Sequence, residues 1–587
     1  MSILRRSATS KGGRRRAKMA GLVVAVAASV TVVVALTTSG ASATQQSALA
    51  LPRNQTFYMS GSEWAPYGDV NPAKTWDYST GTVGLGFETA FRFNPLTGNF
   101  IPWLATGGAW QSKNVYVMNI RSGVKFSDGS PMTARDVKYS FDLPKIPTHP
   151  QNALWASTGL QSIKAAGNKV IFTFAGKPGY QQFDFYRYNV AIVPQHVFSK
   201  LSKTDLTTSN LDPSYLVGTG PYAYESGASP SAQTFVWKRK NNWWATKALG
   251  LKPAPLYVVD IHNSSNAAAF ANFQAGNIDL FNNFAPKSAI SGSAKTFYSK
   301  APYHLGANTT WLFPNTTRKP LNDPAFRRAL AYSVNMNQIL AKAYQGLVDK
   351  ASPTGLLPIW NKWVDKKAVA KYGFSYNPTR AKAILAAAGY KDTDGNGYVE
   401  NKDGSDISLT IQCPNGWSDW MTSIQVIADS AKAVGIKITT GFPDYGTLVD
   451  DRGHARYDLV LANDRQYSNT PWTYYQYIFQ LPILDNQTTV NYERFASQKA
   501  WNLTQLLDKT STSNPKAYQA VMTQLQTLFM KNLPAIPLWY NGMWAMFNTK
   551  YWTNWPSSKT GQYTPTAWNN YWQMTSIDML THLKPAK

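Results

Sequence analysis

The stretch "DTDGNGYVENKD", residues 392–403, sets hard oxygen donors at alternate positions. Asp392, Asp394, Asn396, the Tyr398 carbonyl, Glu400 and Asp403 match the spacing of a calcium loop, with Gly397 at the sharp turn and Val399 as the apolar anchor. Two features count against it. The twelfth residue is Asp, short for a bidentate role, and "ISLTIQC" a few residues on reads as a strand rather than a helix. A solvated turn between helix and strand is the alternative. The loop is therefore a candidate structural Ca2+ site, and no cofactor is required elsewhere. The other chemistry lies in the aromatics, 21 Trp, 32 Tyr and 26 Phe. Indole offers an apolar face and one N–H donor, which suits the C–H face and hydroxyls of a sugar ring.

Motifs for covalent chemistry are missing. There is no H-E-x-x-H, no G-x-S-x-G and no Walker A. "GTVGLG" at 81–86 is Gly-rich but opens no convincing helix, so it reads as a loop. The six His, among them His149, His196, His262 and His454, show no metal spacing. Asp450 and Asp451 read as a solvated turn rather than an acid–base pair. The one cysteine, Cys413, forms no internal disulfide and carries no lipid at a processed N-terminus.

At 587 residues the chain is too long for one core, and 44% hydrophobic with 15% charged residues is a globular composition. The first 20 residues hold seven Lys or Arg and no acid; "LVVAVAASVTVVVAL" (22–36) and "ASA" (41–43) follow. This is the pattern of a signal peptide over 1–43, with an uncleaved anchor as the rival. Removing its seven positive charges leaves 51 Lys and Arg against 32 Asp and Glu, near +19. In an exported chain that surplus suits anionic cell-wall polymer or lipid headgroups, or plain solubility, rather than nucleic acid.

Local signals place the elements. "NVYVMNI" (114–120) alternates as a half-buried strand, Asp128-Gly129 turns, and Thr133 with Asp136 forms an acidic capping box ahead of "DVKYSF". Asp323 and Pro324 open a helical pattern that runs to Gly346. Residues 419–434 and 514–532 repeat apolar positions at helical spacing, and "IKITT" after the former reads as a strand. The alternation is α/β.

Six stretches in order are similar to a known family. "VKFSDGSPMTARDVKYSF" (124–141), "GTGPY" (218–222), "KRKNNWW" (238–244), "LNDPAFRRALAYSVN" (321–335), "NPTRAKAILAAAGY" (377–390) and "AKAVGIKI" (431–438) resemble the oligopeptide/dipeptide/nickel family of extracytoplasmic solute-binding proteins of ABC importers. The resemblance implies an α/β, two-lobed periplasmic-binding-protein fold of the large three-subdomain kind, hinged around a ligand cleft. It places the first lobe at 44–92, 212–308 and 537–587, its extra subdomain at 93–211, and the second lobe at 309–536. It implies a non-enzymatic, monomeric protein at the cell surface or in the periplasm, with membrane permease subunits as partners and no nucleic acid.

Peptide-binding members of that family resemble one another in an Asp-Pro whose carboxylate takes the peptide's amino group. Here the dipeptide is Thr470-Pro471, with Asp464 nearby at a different spacing. A buried ammonium without a counter-ion is costly. Segments 61–72, 81–105 and 536–556 resemble a subgroup similar to cellobiose- and oligosaccharide-binding members. Trp64, Trp311, Trp417, Trp420, Trp472, Trp539 and Trp544 lie in segments the resemblance places near cleft or hinge, with Asn315, Asp419, Asn463, Asp464 and Asn541 as polar neighbours. Core packing is the plainer role for any one of these Trp, and Trp243 and Trp244 read as structural. The expected ligand is an oligosaccharide, ahead of an oligopeptide; a secreted glycan-active enzyme or a cell-wall carbohydrate binder is the alternative.

Overall fold

The computed structural model describes residues 51–60, 70–73, 81–149, 152–207, 211–225, 234–290, 294–465, 468–487, 489–560 and 573–586. The leader over 1–43 and Trp64 lie outside them. No helix among the described residues is long and apolar enough to cross a membrane.

Three sheets carry the architecture. The first has seven strands, in the order Lys295–Thr296, Met546–Phe547, Leu280–Phe281, Thr56–Ser60, Tyr257–Ile261, Thr234–Arg239 and Tyr222–Tyr224. Its three central strands, around Thr56–Ser60, are parallel, and Phe57, Met59, Val258, Val259 and Leu280 are fully buried there. Apolar runs buried on both faces are what a covered parallel sheet requires. The second has five strands, in the order Ile438–Gly441, Leu409–Gln412, Leu459–Ala462, Leu305–Pro314 and Ile536–Met543. A four-stranded antiparallel sheet spans Ala105–Ser112, Val115–Ile120, Lys169–Phe174 and Leu160–Ala166.

The chain passes between the first two sheets twice. It leaves the first after Lys295–Thr296 and enters the second at Leu305; it leaves the second after Met543 and re-enters the first at Met546. The two crossing strands pair with each other, antiparallel, from Leu305↔Met543 to Leu312↔Ile536. His304, just before one, accepts the Ala545 N–H at Nδ1, just after the other, at 3.3 Å. Two short connections side by side are the geometry of a hinge.

Local chemistry sets the helices. Thr133 accepts the Arg135 N–H and donates its own to Asp136 at 2.8 Å, completing the capping box. Asn514 caps the helix Pro515–Asn532. At its far end buried Arg327 donates to the carbonyls of Asn532, Leu533 and Leu321. The helical pattern from 321 is not one helix: Pro324–Ser333 stops at Val334, whose backbone is extended, and Asn335 caps a second helix, Met336–Lys342. The apolar spacing continues through the break because both short helices bury Leu330, Val334 and Ile339 in one core. Trp103, Trp243 and Trp244 all point their indole N–H at the buried Glu88 carboxylate, at 2.9, 3.2 and 2.7 Å. Burial pushes that carboxyl up, against the pull of the indoles.

Candidate functional site

Ligands of open α/β sheets sit beyond the carboxyl ends of the parallel strands. The loop after Tyr257–Ile261 of the first sheet meets the loop after Leu409–Gln412 of the second. Asn266 donates its backbone N–H to the Gly416 carbonyl at 3.1 Å and its side chain to Asp419 at 3.2 Å. Tyr344 donates to the other Asp419 oxygen at 3.2 Å. Burial raises the Asp419 carboxyl to about 6, against these donors. Asp419 is thus a linker between the two sheets' loops.

Polar side chains gather at the same ends and on the crossing strands. Asn308 pairs in register with Asn541 and donates to the Asn463 carbonyl at 2.6 Å. Asn463 and Asn541 are thereby brought together. Asn282 ends Leu280–Phe281 and donates to the Trp544 carbonyl at 2.7 Å; Ser60 donates to Asn283 Oδ1 at 2.9 Å. Several buried atoms of this group have no protein partner: Asn282 Oδ1, Asn283 Nδ2, His262 Nε2, Gln412 Oε1, Thr310 Oγ1 and Asn541 Oδ1. They are amide, imidazole and hydroxyl groups, and buried polar groups of this kind require a partner. Asn308, Asn282 and Tyr344 were not singled out from sequence.

The sequence-derived aromatics divide. Trp311 is 1% exposed and packs on Tyr474 and Phe529, with Gly355 against its ring, so it is core. Trp420 is buried in the second sheet's core, edge-on to Trp417 at 4.8 Å. Trp417 is half-buried and stacks on Tyr445 at 5.8 Å. Trp539 and Trp544 both flank Tyr344, the latter stacked at 6.3 Å. Trp472 opens the helix Trp472–Phe479 and lines a small cavity with Gln182 and Arg465. The indole nitrogens of Trp311, Trp472 and Trp539 are buried without a partner. Asn315 spends its amide on the Ala455 and Tyr457 carbonyls and on Thr317, which gives it a loop-holding job.

Asp464 is engaged inside its own half. Its carboxylate lies 2.8 Å from Arg452 and accepts Tyr477 OH at 3.2 Å. Arg452 is buried over the Tyr492 ring, and Asp464 beside it holds the guanidinium well above its ordinary value. Thr470 is buried ahead of Pro471.

In the loop at 392–403, oxygens of Asp392, Asp394 and Glu400 lie within 4.8 Å of one another. Asp392 also accepts the Gly395 and Gly397 N–H groups, and Glu400 accepts the Thr393 N–H and hydroxyl. Asn396 bonds Asp394 and the Tyr398 N–H. Asp403 faces away, to Lys319 at 3.1 Å and Ser405.

Two sheets joined by a double crossover, with buried polar groups gathered at meeting strand ends, define a hinged ligand-binding protein. The family model "Bacterial extracellular solute-binding proteins, family 5 Middle" matches residues 99–482. The chain belongs to that family of ABC-importer binding proteins, which are extracytoplasmic and are not enzymes. Its fold is similar to a periplasmic oligopeptide-binding protein of Thermotoga maritima with mannohexaose bound: 35% identity, TM-score 0.86, covering 91% of this chain and 99% of that one. The oligopeptide-binding protein AppA of Bacillus subtilis is 24% identical over 72% of this chain and 75% of its own length. Its structure with a nonapeptide has TM-score 0.73 at 20% identity, covering 91% of this chain and 99% of that one, a likeness of fold.

Proposed function

We propose that the cleft takes a neutral oligosaccharide, which the lobes enclose by hinge closure and hand to a membrane permease. The observation that carries this is the pairing of Asp464 with Arg452 at 2.8 Å. Asp464, the acid nearest Thr470-Pro471 in sequence, is already paired within its lobe, and the family resemblance puts Thr470 where the peptide binders carry Asp. Among the buried groups without a protein partner at the strand ends and on the crossing strands, the Asn282, Asn283, Gln412 and Asn541 amides and the Thr310 hydroxyl match sugar hydroxyls. The Thermotoga maritima relative, holding mannohexaose, supports the same class.

In this reading the first lobe is 44–92, 212–308 and 537–587, with 93–211 as its extra subdomain and 309–536 as the second lobe. The protein works as an exported monomer released from its leader. Calcium at Asp392, Asp394, Asn396, the Tyr398 carbonyl and Glu400 belongs to the same proposal, without Asp403; an unchanged melting temperature in calcium against chelator refutes it. The ligand is tested by a thermal-shift screen of cello-, xylo- and manno-oligosaccharides beside di- to pentapeptides. A concentration-dependent rise with a sugar supports the reading. A rise with peptides alone refutes it.

A further inference from the structure

Helix Tyr180–Asn189 begins after Gly179, which has no side chain to cap the first turn. The missing acceptor comes from far along the chain. Asp508, last residue of the helix Gln498–Asp508, accepts the Gln182 N–H at 2.9 Å. Gln181 donates to the Thr510 carbonyl at 2.9 Å, and Asn469 to Asp184 at 3.4 Å, along the same seam. A methyl on residue 179 would lie 2.3 Å from Asp508 Oδ2, although the local φ of −73° admits alanine. By the lobe assignment above, Gln182 lies in the first lobe's extra subdomain and Asp508 in the second lobe. Asn266 and Asp419 bridge the same two lobes elsewhere.

We propose that Asp508 is a closure-dependent cap, supplied by the second lobe to helix Tyr180–Asn189 only when the lobes are shut, and that with the Asn266–Asp419 bond it stabilises the ligand-retaining state. This rests on the hinge-closure reading. Asp184 with its partner Arg187, and Tyr186, face Asp508 from the capped helix; Lys509 adjoins it, and Tyr518 faces it from Pro515–Asn532. Tyr344 and Cys413 face Asp419. In the closed form burial raises Asp508 to about 7 and Asp419 to about 6. Parting the lobes returns both carboxyls to water, where they titrate near 4. The closed form holds more protons, so closure is favoured as pH falls from 8 toward 6 and disfavoured as pH rises through 7.

Three variants test this. Asp508→Ala removes the acceptor, Gly179→Ala blocks it sterically, and Asp508→Asn keeps an acceptor but cannot titrate. The readouts are mannohexaose dissociation rate and hydrogen exchange of amides 181–183 in the mannohexaose-saturated protein. The first two variants should speed dissociation about fivefold, the worth of one helix cap, and speed exchange at those amides. Asp508→Asn should keep the cap and flatten the pH dependence of dissociation between 6 and 8. Exchange and dissociation equal to the parent in Gly179→Ala, or an unchanged pH slope in Asp508→Asn, overturns the proposal; these two variants decide it should Asp508→Ala not fold. If mannohexaose binds no form of the protein, the ligand reading falls, and the same exchange and dissociation comparison with whichever oligosaccharide or peptide of the thermal-shift screen binds decides the cap.

Discussion

The Asp464 carboxylate, in the loop after the strand Leu459–Ala462, sits 2.8 Å from the guanidinium of Arg452 on the helix Tyr445–Gly453. Arg452 is nearly sealed from solvent, while Asp464 keeps about a third of its side chain exposed. The pair is therefore a local brace. Asp464→Asn should lower stability by about 1–3 kcal/mol, because it leaves buried Arg452 without its counter-charge. It should leave sugar affinity within about twofold. A residue that received a ligand ammonium would instead lose affinity by orders of magnitude. Thermal unfolding and calorimetric titration of one variant separate the two.

Asn541 makes the opposite forecast. Its Oδ1 is buried and without a protein partner. Asn541→Ala should barely move the melting temperature yet weaken sugar binding about tenfold, the worth of one buried hydrogen bond. An unchanged affinity would remove Asn541 from the cleft.

Gly355 tests whether Trp311 is core. A methyl there would lie 1.9 Å from the indole, and the backbone φ of +72° disfavours any side chain. Gly355→Ala should destabilise strongly, and Trp311→Ala by about 3–5 kcal/mol. Loss of affinity at full stability would move Trp311 into the ligand site.

The hinge has its own acid sensitivity. His304 is buried against Trp544, and burial lowers it to about 4. The unfolded chain takes up this proton near 6.5 and the folded one near 4. Stability should therefore fall as pH drops from 6.5 toward 4, and His304→Asn should lessen that fall. The urea midpoint against pH, parent beside variant, measures it.

How much was legible in the sequence follows from the range of the interactions. Caps at Thr133 and Asp323 use residues two or three apart, so they were readable, as was the structural role of Trp243 and Trp244. Their shared acceptor Glu88 was not, because about 155 residues separate it from them. The break at Val334 hid because apolar spacing runs through it. Among the site residues, the family resemblance placed the Trp in segments near cleft or hinge, but could not say which face each takes. Trp311 and Trp420 turned to the cores, while Asn463 and Asn541 met through Asn308.

The most direct test is calorimetric titration of the protein with mannohexaose and, in parallel, with a nonapeptide. The account predicts saturable binding of the sugar and no heat from the peptide. Saturable peptide binding with an inert sugar would contradict it, and would mean that a carboxylate other than Asp464 receives the peptide amine.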